Sequence, residues 1–352
     1  MNSLDSAKEK ISSGARLERD EILALYEDND LLYLAESARR VKEAKTGKKI
    51  FYVVNRHINL TNVCSANCPL CAYQCQSGDN RAFTLELDDV EKILRDAAKI
   101  KYISEIHIVS SLHPKKNFDY YVDAVKLVKK ILPHVRINAF TPVEIVNFSK
   151  ISGKSFSEVL SELIQAGVTC LAGGGAEILS ERVRKIICPK KCSATEWLEV
   201  NRTAHGLGLK TNASMMYGHI ETIAERVDHL IKLRELQDET GGFGAMMLFP
   251  FHPENTVLGK EFNLQRVSSW EDLKMLALSR LVLDNFDHFK AFWIMLTLPI
   301  AQLALNFGAD DLDGTIGEEK IIHAAGSKAS TGISREILEK IISEVGYKAI
   351  RN

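Results

Sequence analysis

The sequence has no surplus of either charge, no long hydrophobic run and no low-complexity segment. Across 352 residues, 45 basic side chains oppose 46 acidic ones. A dedicated binder of nucleic acid or of an acidic membrane needs a basic surplus, so both classes are disfavoured. The most apolar stretch, 291–305, is interrupted by Thr297, Pro299 and Gln302. It is shorter than the roughly 18 to 20 residues of a membrane span, so we expect neither nucleic acid nor membrane as a partner.

The first 21 residues are charged and polar, and they lack the apolar core of a secretory signal peptide. The seven cysteines are an odd number, which a complete set of disulfides does not use up. We therefore expect a cytoplasmic chain in a reducing compartment, where cysteines serve as thiolate ligands or fill the core.

Apolar, β-branched runs alternate with longer amphipathic stretches along most of the chain. The strand-like runs lie at 50–55, 105–109, 135–140, 168–172, 210–214, 244–249, 290–294 and, more weakly, 309–312. Eight such runs separated by helical patterns predict an α/β fold, a single TIM-like (β/α)₈ barrel. A doubly wound sheet is the alternative.

The predicted barrel covers 46–315. Helical patterns in 1–45 predict an N-terminal helical extension, and two further patterns, at 318–325 and 334–344, predict that 316–352 packs on the barrel as helices. In a (β/α) barrel the chemistry is carried by the loops after the carboxyl ends of the strands. Candidate functional residues should therefore follow the predicted strands.

Four cysteines lie within twelve residues, directly after the first predicted strand. Cys64, Cys68 and Cys71 have the spacing C-x₃-C-x₂-C, and Cys75 follows. Thiolates hold iron–sulfur clusters, and a cube of four irons with three protein thiolates leaves one iron open. A structural zinc knot and an electron-carrying cluster with four cysteine ligands are the alternatives. We predict that Cys75 lies beyond the cluster loop.

The remaining cysteines give weaker signals. Cys188 and Cys192 are spaced C-x₃-C on a lysine-rich loop without a nearby His or Cys partner, and we interpret them as incidental thiols. Cys170 lies inside an apolar strand, where a free cysteine most simply fills the core. The spacing alone does not settle the roles of Cys75, Cys188 and Cys192.

Several blocks resemble the radical S-adenosylmethionine (SAM) superfamily, in its menaquinone and deazaflavin branch. They read NRHINLTNVC at 55–64, GGGAEI at 173–178, MYGHIE at 216–221 and LQDETGGF at 236–243. Two further stretches, FHPENT at 251–256 and ADDLDGT at 309–315 followed by EEKIIHAAG at 318–326, are most similar to the aminofutalosine synthases. The resemblance extends from about residue 14 to 326. One departure is Tyr73, followed by Gln74 and Cys75, where the family usually has Phe and then a nearby basic residue.

The resemblance implies a [4Fe–4S] cluster and SAM, which is consumed as a co-substrate. It implies that a 5′-deoxyadenosyl radical adds to the vinyl ether of 3-[(1-carboxyvinyl)oxy]benzoate, and that rearrangement and decarboxylation give 6-amino-6-deoxyfutalosine. The partners implied are this small dicarboxylate and an electron donor such as flavodoxin or ferredoxin. Cyclic dehypoxanthine futalosine synthase and a deazaflavin synthase subunit are related alternatives, and an iron–sulfur electron carrier or sensor is an alternative of another class.

The resemblance also assigns candidate residues. The metal ligands are Cys64, Cys68 and Cys71; the cofactor-binding residues are Tyr73, Ser110, Ser111, Glu144, Glu177 and Asn212; the catalytic residues are Arg56, His57, His219 and His252. Arg56 suits a substrate carboxylate because a guanidinium can bind it with two hydrogen bonds, although an ion pair with Glu144 or Glu177 is equally compatible. A single histidine is also often a hydrogen-bonded core residue.

Other polar residues are predicted not to act in the site. We expect His113, His134 and His229 to be structural or to lie on the surface. Asp310, Asp311 and Asp313 lack the downstream Glu of a calcium loop and are expected in a loop at the eighth strand.

Overall fold

Strands and helices alternate along the chain, as the pattern of apolar residues predicts. The computed structural model describes residues 2–317 and 319–352. The strands are β1 (Lys49–Val53), β2 (Asn55–Asn59), β3 (Glu105–Val109), β4 (Arg136–Ala139), β5 (Cys170–Leu171), β6 (Lys210–Tyr217), β7 (Phe243–Pro250), β8 (His288–Lys290), β9 (Asp311–Gly314) and β10 (Lys348–Arg351). The helices are α1 (Ser3–Ser13), α2 (Arg19–Glu27), α3 (Leu31–Thr46), α4 (Leu87–Ala97), α5 (Phe118–Ile131), α6 (Pro142–Ser152), α7 (Phe156–Ala166), α8 (Glu181–Ile187), α9 (Ala194–Gly206), α10 (Ile223–Thr240), α11 (Val257–Glu261), α12 (Ser269–Val282), α13 (Trp293–Leu296), α14 (Leu298–Ala304), α15 (Ile321–Ala325) and α16 (Arg335–Glu344).

All ten strands belong to one sheet and pair in parallel, in the order β10-β1-β9-β8-β7-β6-β5-β4-β3-β2. The first predicted strand, 50–55, corresponds to β1, and the strand β2 that follows it directly was not predicted. β1 pairs with β9, whereas β2 pairs with β3 at the other side of the sheet. A parallel bridge between Arg56 and Gly317 joins β2 to the segment after β9. The sheet therefore curls on itself, and the predicted TIM-like (β/α) barrel is confirmed.

Two other strands differ from the sequence prediction. The run 290–294 was expected to be a strand, but β8 ends at Lys290 and a short helix begins at Trp293. The Trp293 indole donates to the carbonyl of Gly314 at 2.9 Å, which holds this turn against the end of β9. The strand β10 was not predicted; its charged sequence gives no strand signal, and it forms because it pairs with the edge of β1. The C-terminal segment thus contains a strand besides helices, and Glu318 lies outside the described residues.

The N-terminal helices pack on the outer helices of the barrel through polar contacts. Arg16 forms an ion pair with Asp238, at the end of α10, at 2.5 Å. Arg234, on α10, donates to the carbonyl of Leu17 at 2.9 Å. The buried Lys42 of α3 donates to the carbonyl of Leu305 at 2.9 Å. Through these contacts the first 45 residues lie beside the barrel. The contacts do not involve the carboxyl ends of its strands.

Helix α10 packs against the barrel through His229, which is 1% exposed. Its Nδ1 accepts the N–H of Leu179 at 3.0 Å, so the imidazole ties the helix to the loop after β5. Burial lowers the pKa of His229 to about 3, and the neutral form is the one that the fold holds. The structural role predicted for this residue agrees with these contacts. None of the helices in the described ranges is both long and apolar enough to cross a bilayer.

We expect the variant His229→Asn to weaken the pH dependence of stability. Between the ordinary pKa of 6.5 and the lowered value of about 3, the unfolded chain binds one proton more than the folded chain, so stability is lost as the pH falls through this window. From pH 7 to pH 5 the wild-type histidine should lower the free energy of unfolding by about 2 kcal/mol. Asparagine keeps an acceptor for the Leu179 N–H but does not titrate. Urea titrations at both pH values measure the difference, with the exposed His134→Asn as control; equal losses in the wild type and His229→Asn would contradict the prediction.

Candidate active site

A cavity of about 300 Å³ opens among the carboxyl ends of the strands. Its lining contains residues from the loops after β2, β3, β4 and β5, where a (β/α) barrel is expected to carry its chemistry. Ten of the thirteen predicted site residues line it: His57, Cys64, Cys68, Cys71, Tyr73, Ser110, Ser111, Glu144, Glu177 and Asn212. The fold thus brings together residues that are more than 150 positions apart in the sequence.

The three predicted ligand cysteines lie on the loop that follows β2. Cys64, Cys68 and Cys71 are unpaired thiols facing the cavity, and the N–H of Cys71 donates to the carbonyl of Cys68 at 3.0 Å in a tight turn. Burial raises the pKa of Cys68 to about 12, and the Lys191 ammonium opposes this effect. Burial also raises the pKa of Cys71, again opposed by Lys191. Burial therefore favours the neutral thiol at Cys68 and Cys71, and one buried cation opposes it.

Cys75 is turned away from the cavity. Its backbone N–H donates to the carbonyl of Asn62 at 2.8 Å, and its carbonyl accepts the N–H of Cys64 at 3.0 Å. Its sulfur accepts the Asn62 side-chain amide at 3.3 Å. These bonds place Cys75 at the base of the loop, where it closes the turn that presents the other three thiols. This position agrees with the prediction that it lies beyond the cluster loop.

Glu177 and Lys191 form a buried ion pair beside the thiols. The Lys191 ammonium lies 2.5 Å from the Glu177 carboxylate, and both residues line the cavity. Burial disfavours the Glu177 carboxylate, but Lys191 outweighs it and holds the pKa of that carboxyl below its usual range. Lys191 lies on the same loop as Cys188 and Cys192, the two cysteines that we interpreted from the sequence as incidental thiols. That loop contributes its lysine to the cavity.

Glu144 is a helix cap as well as a cavity residue. Its two carboxylate oxygens accept the backbone N–H of Ser110 at 2.6 Å and that of Thr141 at 2.7 Å. The second bond is part of the capping box that starts α6. Burial raises the pKa of Glu144 to about 7 despite these bonds. Glu144 therefore joins the ends of β3 and β4, and it fixes the backbone that carries Ser110 and Ser111.

The glycines after β5 allow two strands to approach each other closely. A Cβ on Gly173 would lie 2.7 Å from the backbone carbon of Asn212, on β6. The Ser214 hydroxyl donates to the Gly173 carbonyl at 2.6 Å, which fixes the same contact. The glycines thereby bring Asn212 and Glu177 to the cavity. The group that approaches Gly173 closely is thus the backbone of the neighbouring strand, β6.

Three predicted residues do not line the cavity. The Arg56 guanidinium packs against Gly317, where an added Cβ would lie 2.9 Å from Nη1. His219 is fully buried, with Nδ1 2.7 Å from the Glu221 carboxylate. His252 has Nε2 3.1 Å from the carbonyl of Met295. Their contacts are with protein groups, and their catalytic roles stay predictions.

The cavity also contains polar residues that the sequence analysis missed. His107, Asn138, Lys290 and Asp313 line its inner part, and Lys191 lines the part near the thiols. His107 and Asn138 are polar residues at inward-facing positions of otherwise apolar strands. A polar residue at such a position is the sequence signal that could have identified them. Asp313 was expected only as part of a loop.

The chain matches two protein-family models over most of its length. Residues 58–233 match the radical SAM superfamily, and residues 240–352 match the CofH/MqnC C-terminal region. This chain belongs to the radical SAM superfamily. The cysteine loop and the strands β3 to β6 fall within the first match.

The radical SAM chain is similar over nearly its whole length to curated enzymes. It is 42% identical to the aminodeoxyfutalosine synthase of Thermus thermophilus over 339 residues, 96% of this chain and 91% of that one. It is 41% identical to the same enzyme of Streptomyces coelicolor over 351 residues, with coverages of 97% and 90%. Identity is 38% to 5-amino-6-(D-ribitylamino)uracil–L-tyrosine 4-hydroxyphenyl transferase 1 of Methanosarcina barkeri, with coverages of 89% and 86%.

Two solved structures share the fold of this chain. Methylornithine synthase (PylB) superposes with a TM-score of 0.78 at 18% identity, covering 98% of this chain and 97% of that one. The [FeFe]-hydrogenase maturase HydG superposes with a TM-score of 0.78 at 17% identity, with coverages of 99% and 76%. At these identities the comparison supports the TIM-like barrel and nothing finer.

Membership of the superfamily implies a [4Fe–4S] cluster and SAM, and the residues present fit them. Within residues 2–317 and 319–352, no three His, Cys, Asp or Glu side chains are arranged around a single metal ion. An iron–sulfur cube binds each thiolate to a different iron, so its ligands need only face one cavity, as Cys64, Cys68 and Cys71 do. The Tyr73 ring lines the same cavity, and its hydroxyl has no hydrogen-bond partner in the described chain. Polar groups on Ser110, Glu177 and other residues named above surround the remaining space.

Proposed function

We propose that this chain is an aminodeoxyfutalosine synthase of menaquinone biosynthesis. The observation that carries the proposal is the 42% identity to the Thermus thermophilus enzyme over 96% of this chain and 91% of that one. The cavity supports it, because three thiols and a buried Glu–Lys pair lie at the carboxyl ends of the strands, where the barrel places chemistry. The dicarboxylate substrate and the product are those that the sequence resemblance implies.

Cys64, Cys68 and Cys71 would hold the cluster, which when reduced would supply the electron for cleavage of SAM into methionine and a 5′-deoxyadenosyl radical. In the proposed reaction the radical carbon bonds to the vinyl carbon of 3-[(1-carboxyvinyl)oxy]benzoate. Rearrangement and loss of the vinyl carboxylate as CO₂ or bicarbonate then give 6-amino-6-deoxyfutalosine and release one electron, so the electron used to cleave SAM is recovered and the overall reaction is redox-neutral. SAM is consumed as a co-substrate.

The chain's own residues hold and shield the reactants in this proposal. Tyr73 offers a ring edge to adenine, and its own ring packs edge-on against Phe83 with the centroids 6.4 Å apart. Glu177 accepts from ribose hydroxyls, and Asn212 lies next to it across the glycine turn. The other residues keep the roles predicted from the sequence. Those that bind the cofactor are Ser110, Ser111 and Glu144. Those that bind the substrate or transfer protons are Arg56, His57, His219 and His252.

The electron that first reduces the cluster has to come from a separate donor, and we propose an electron donor such as flavodoxin or ferredoxin. The absence of a net basic charge supports the exclusion of nucleic acid as a partner. We also propose that the protein works in the cytoplasm, since free thiols and an iron–sulfur cluster require a reducing compartment.

Anaerobic reconstitution with iron and sulfide, followed by dithionite, SAM and 3-[(1-carboxyvinyl)oxy]benzoate, tests the proposed reaction. We expect a product that carries the adenosyl group, detected by mass spectrometry, with one methionine released per product. A parallel reaction with tyrosine and 5-amino-6-(D-ribitylamino)uracil tests the activity that the Methanosarcina barkeri relative is named for. Product from that pair alone, or free 5′-deoxyadenosine without an adduct, would assign the chain to a different branch. Failure to cleave SAM at all would overturn a radical mechanism.

A further inference from the structure

The inner end of the cavity is a row of polar side chains on neighbouring strands. His57 of β2 is the register partner of His107 of β3, and His107 is the register partner of Asn138 of β4. Residues in register point to the same face of the sheet, and all three line the cavity. Ser110 lies three residues beyond His107, about 10 Å further along the strand direction at roughly 3.3 Å per residue. The row therefore lies deeper in the barrel than the residues at the strand ends.

The two histidines of this row are incompletely hydrogen-bonded. Their rings lie side by side, with centroids 4.6 Å apart and planes at 59°. Nε2 of each ring is buried and has no hydrogen-bond partner in the part of the chain that the structure describes. Burial lowers the pKa of both histidines, that of His107 to about 3, so both rings are neutral at pH 7. A neutral imidazole carries one N–H donor, and a buried polar group without a partner is unfavourable.

Lys290 provides a cation beside this row. Its ammonium lies 2.9 Å from the Asp313 carboxylate and 3.8 Å from that of Asp311. Burial disfavours the charged form of both carboxylates. At Asp313 the Lys290 ammonium outweighs burial and holds the pKa below its usual range. At Asp311, which lies farther from that ammonium, burial prevails and raises the pKa to about 7. An ammonium has three donors, and Asp313 is the acceptor at hydrogen-bond distance among the described residues. Lys290 therefore retains donors for a further anion.

Apolar side chains line the same cavity, and one of them, Met247, is the register partner of Lys290. The cavity wall includes Met216, Met247, Phe249, Phe292 and Met295. Sulfur and aromatic side chains make favourable contacts with an aromatic ring. One cavity thus contains a polar row within the strands, apolar side chains and the thiols of the loop after β2, which suit a ring carboxylate, an aromatic ring and the reacting vinyl ether, respectively.

We propose that Lys290, His57 and His107 form the subsite for the ring carboxylate of the benzoate substrate, and that this subsite sets the direction in which the vinyl group faces the cluster. The inference rests on the proposed function and names binding residues for that reaction. A carboxylate at the inner end accepts from the Lys290 ammonium and from the two imidazoles. The second carboxylate, on the vinyl group, then lies toward the outer end of the cavity.

Calorimetric titration of the anaerobically reconstituted protein, with SAM and without reductant, tests the subsite. The ligands are 3-[(1-carboxyvinyl)oxy]benzoate and 2-phenoxyacrylate, which lacks only the ring carboxylate. In the wild type, removal of the ring carboxylate should weaken binding by about 10- to 100-fold, the range for a lost hydrogen bond to a charged group. In His107→Phe the benzoate ligand should lose a similar factor, while the affinity for 2-phenoxyacrylate and for SAM should stay unchanged.

The matched control is His134→Phe, at an exposed position, which should bind both ligands like the wild type. His107→Phe should also melt at the wild-type temperature or above, because the replaced nitrogen has no partner to lose. His57→Phe is the second variant and should behave in the same way. Equal weakening of both ligands, or no weakening of the benzoate ligand, would overturn the subsite while adduct formation by the wild type still supports the proposed function. Failure of the wild type to bind either ligand would overturn both.

Discussion

Replacing Cys64, Cys68 or Cys71 singly by alanine is expected to abolish SAM cleavage. Each variant removes one of the three thiols that face the cavity, and a cluster held by two thiolates exposes a second iron. Removal of a second-shell partner alone typically reduces metal affinity or activity by roughly 10- to 100-fold, so loss of a direct ligand should exceed that range. The measurements are the iron and sulfide bound per chain after reconstitution and the rate at which 5′-deoxyadenosine or its adduct appears.

Cys75→Ala is the matched control, since it removes a thiol from the same loop. Its sulfur accepts the Asn62 amide at 3.3 Å and donates to the carbonyl of Tyr73 at 3.9 Å, while the bonds that hold the turn are made by the backbone. We expect this variant to keep the cluster and the cleavage activity, with a loss of stability of about 1 kcal/mol for the hydrogen bond and the small void. If Cys75→Ala loses its cluster while a second-site control such as Cys170→Ala keeps it, the assignment of three ligands is wrong.

Lys290→Met is expected to lower the free energy of unfolding by about 3–5 kcal/mol, the range for breaking a buried ion pair from one side. The Lys290 side chain is 10% exposed, and the Asp313 side chain that it leaves behind is 12% exposed. The loss arises because Asp313 would remain charged in the barrel interior or would have to take up a proton. Urea denaturation of the cluster-free protein measures it without interference from cluster loss.

The double variant Lys290→Met/Asp313→Asn should recover part of this loss, because the remaining pair carries no uncompensated charge. Lys126→Met is the control at the surface, where Lys126 and Asp123 are 61% and 48% exposed, and it should cost less than about 1 kcal/mol. A Lys290→Met protein as stable as Lys126→Met would show that the buried pair contributes nothing. A double variant less stable than Lys290→Met would show that Asp313 stabilises the fold by another route.

The barrel could be predicted because its signals are local. The run at 105–109 marked β3 residue for residue, because its apolar residues follow the period of a strand. The strand β10 could not be predicted from Lys348–Arg351, because its pairing partner, Lys49–Val53, is about 300 residues away in the chain. The strand exists through the edge of β1 that it covers.

The candidate site also has a part that could be predicted from a short segment and a part that could not. The sequence by itself determined the thiol loop, because Cys64, Cys68 and Cys71 lie within eight residues and their spacing carries the chemistry. Only the tertiary structure decided that Lys191 lies beside those thiols and that His107 and Lys290 share the inner end of one cavity. The physical reason is that strand register and barrel closure set these neighbours, and both bring together residues that are far apart in the chain. A pattern within a short segment contains no information on which distant side chain will face it.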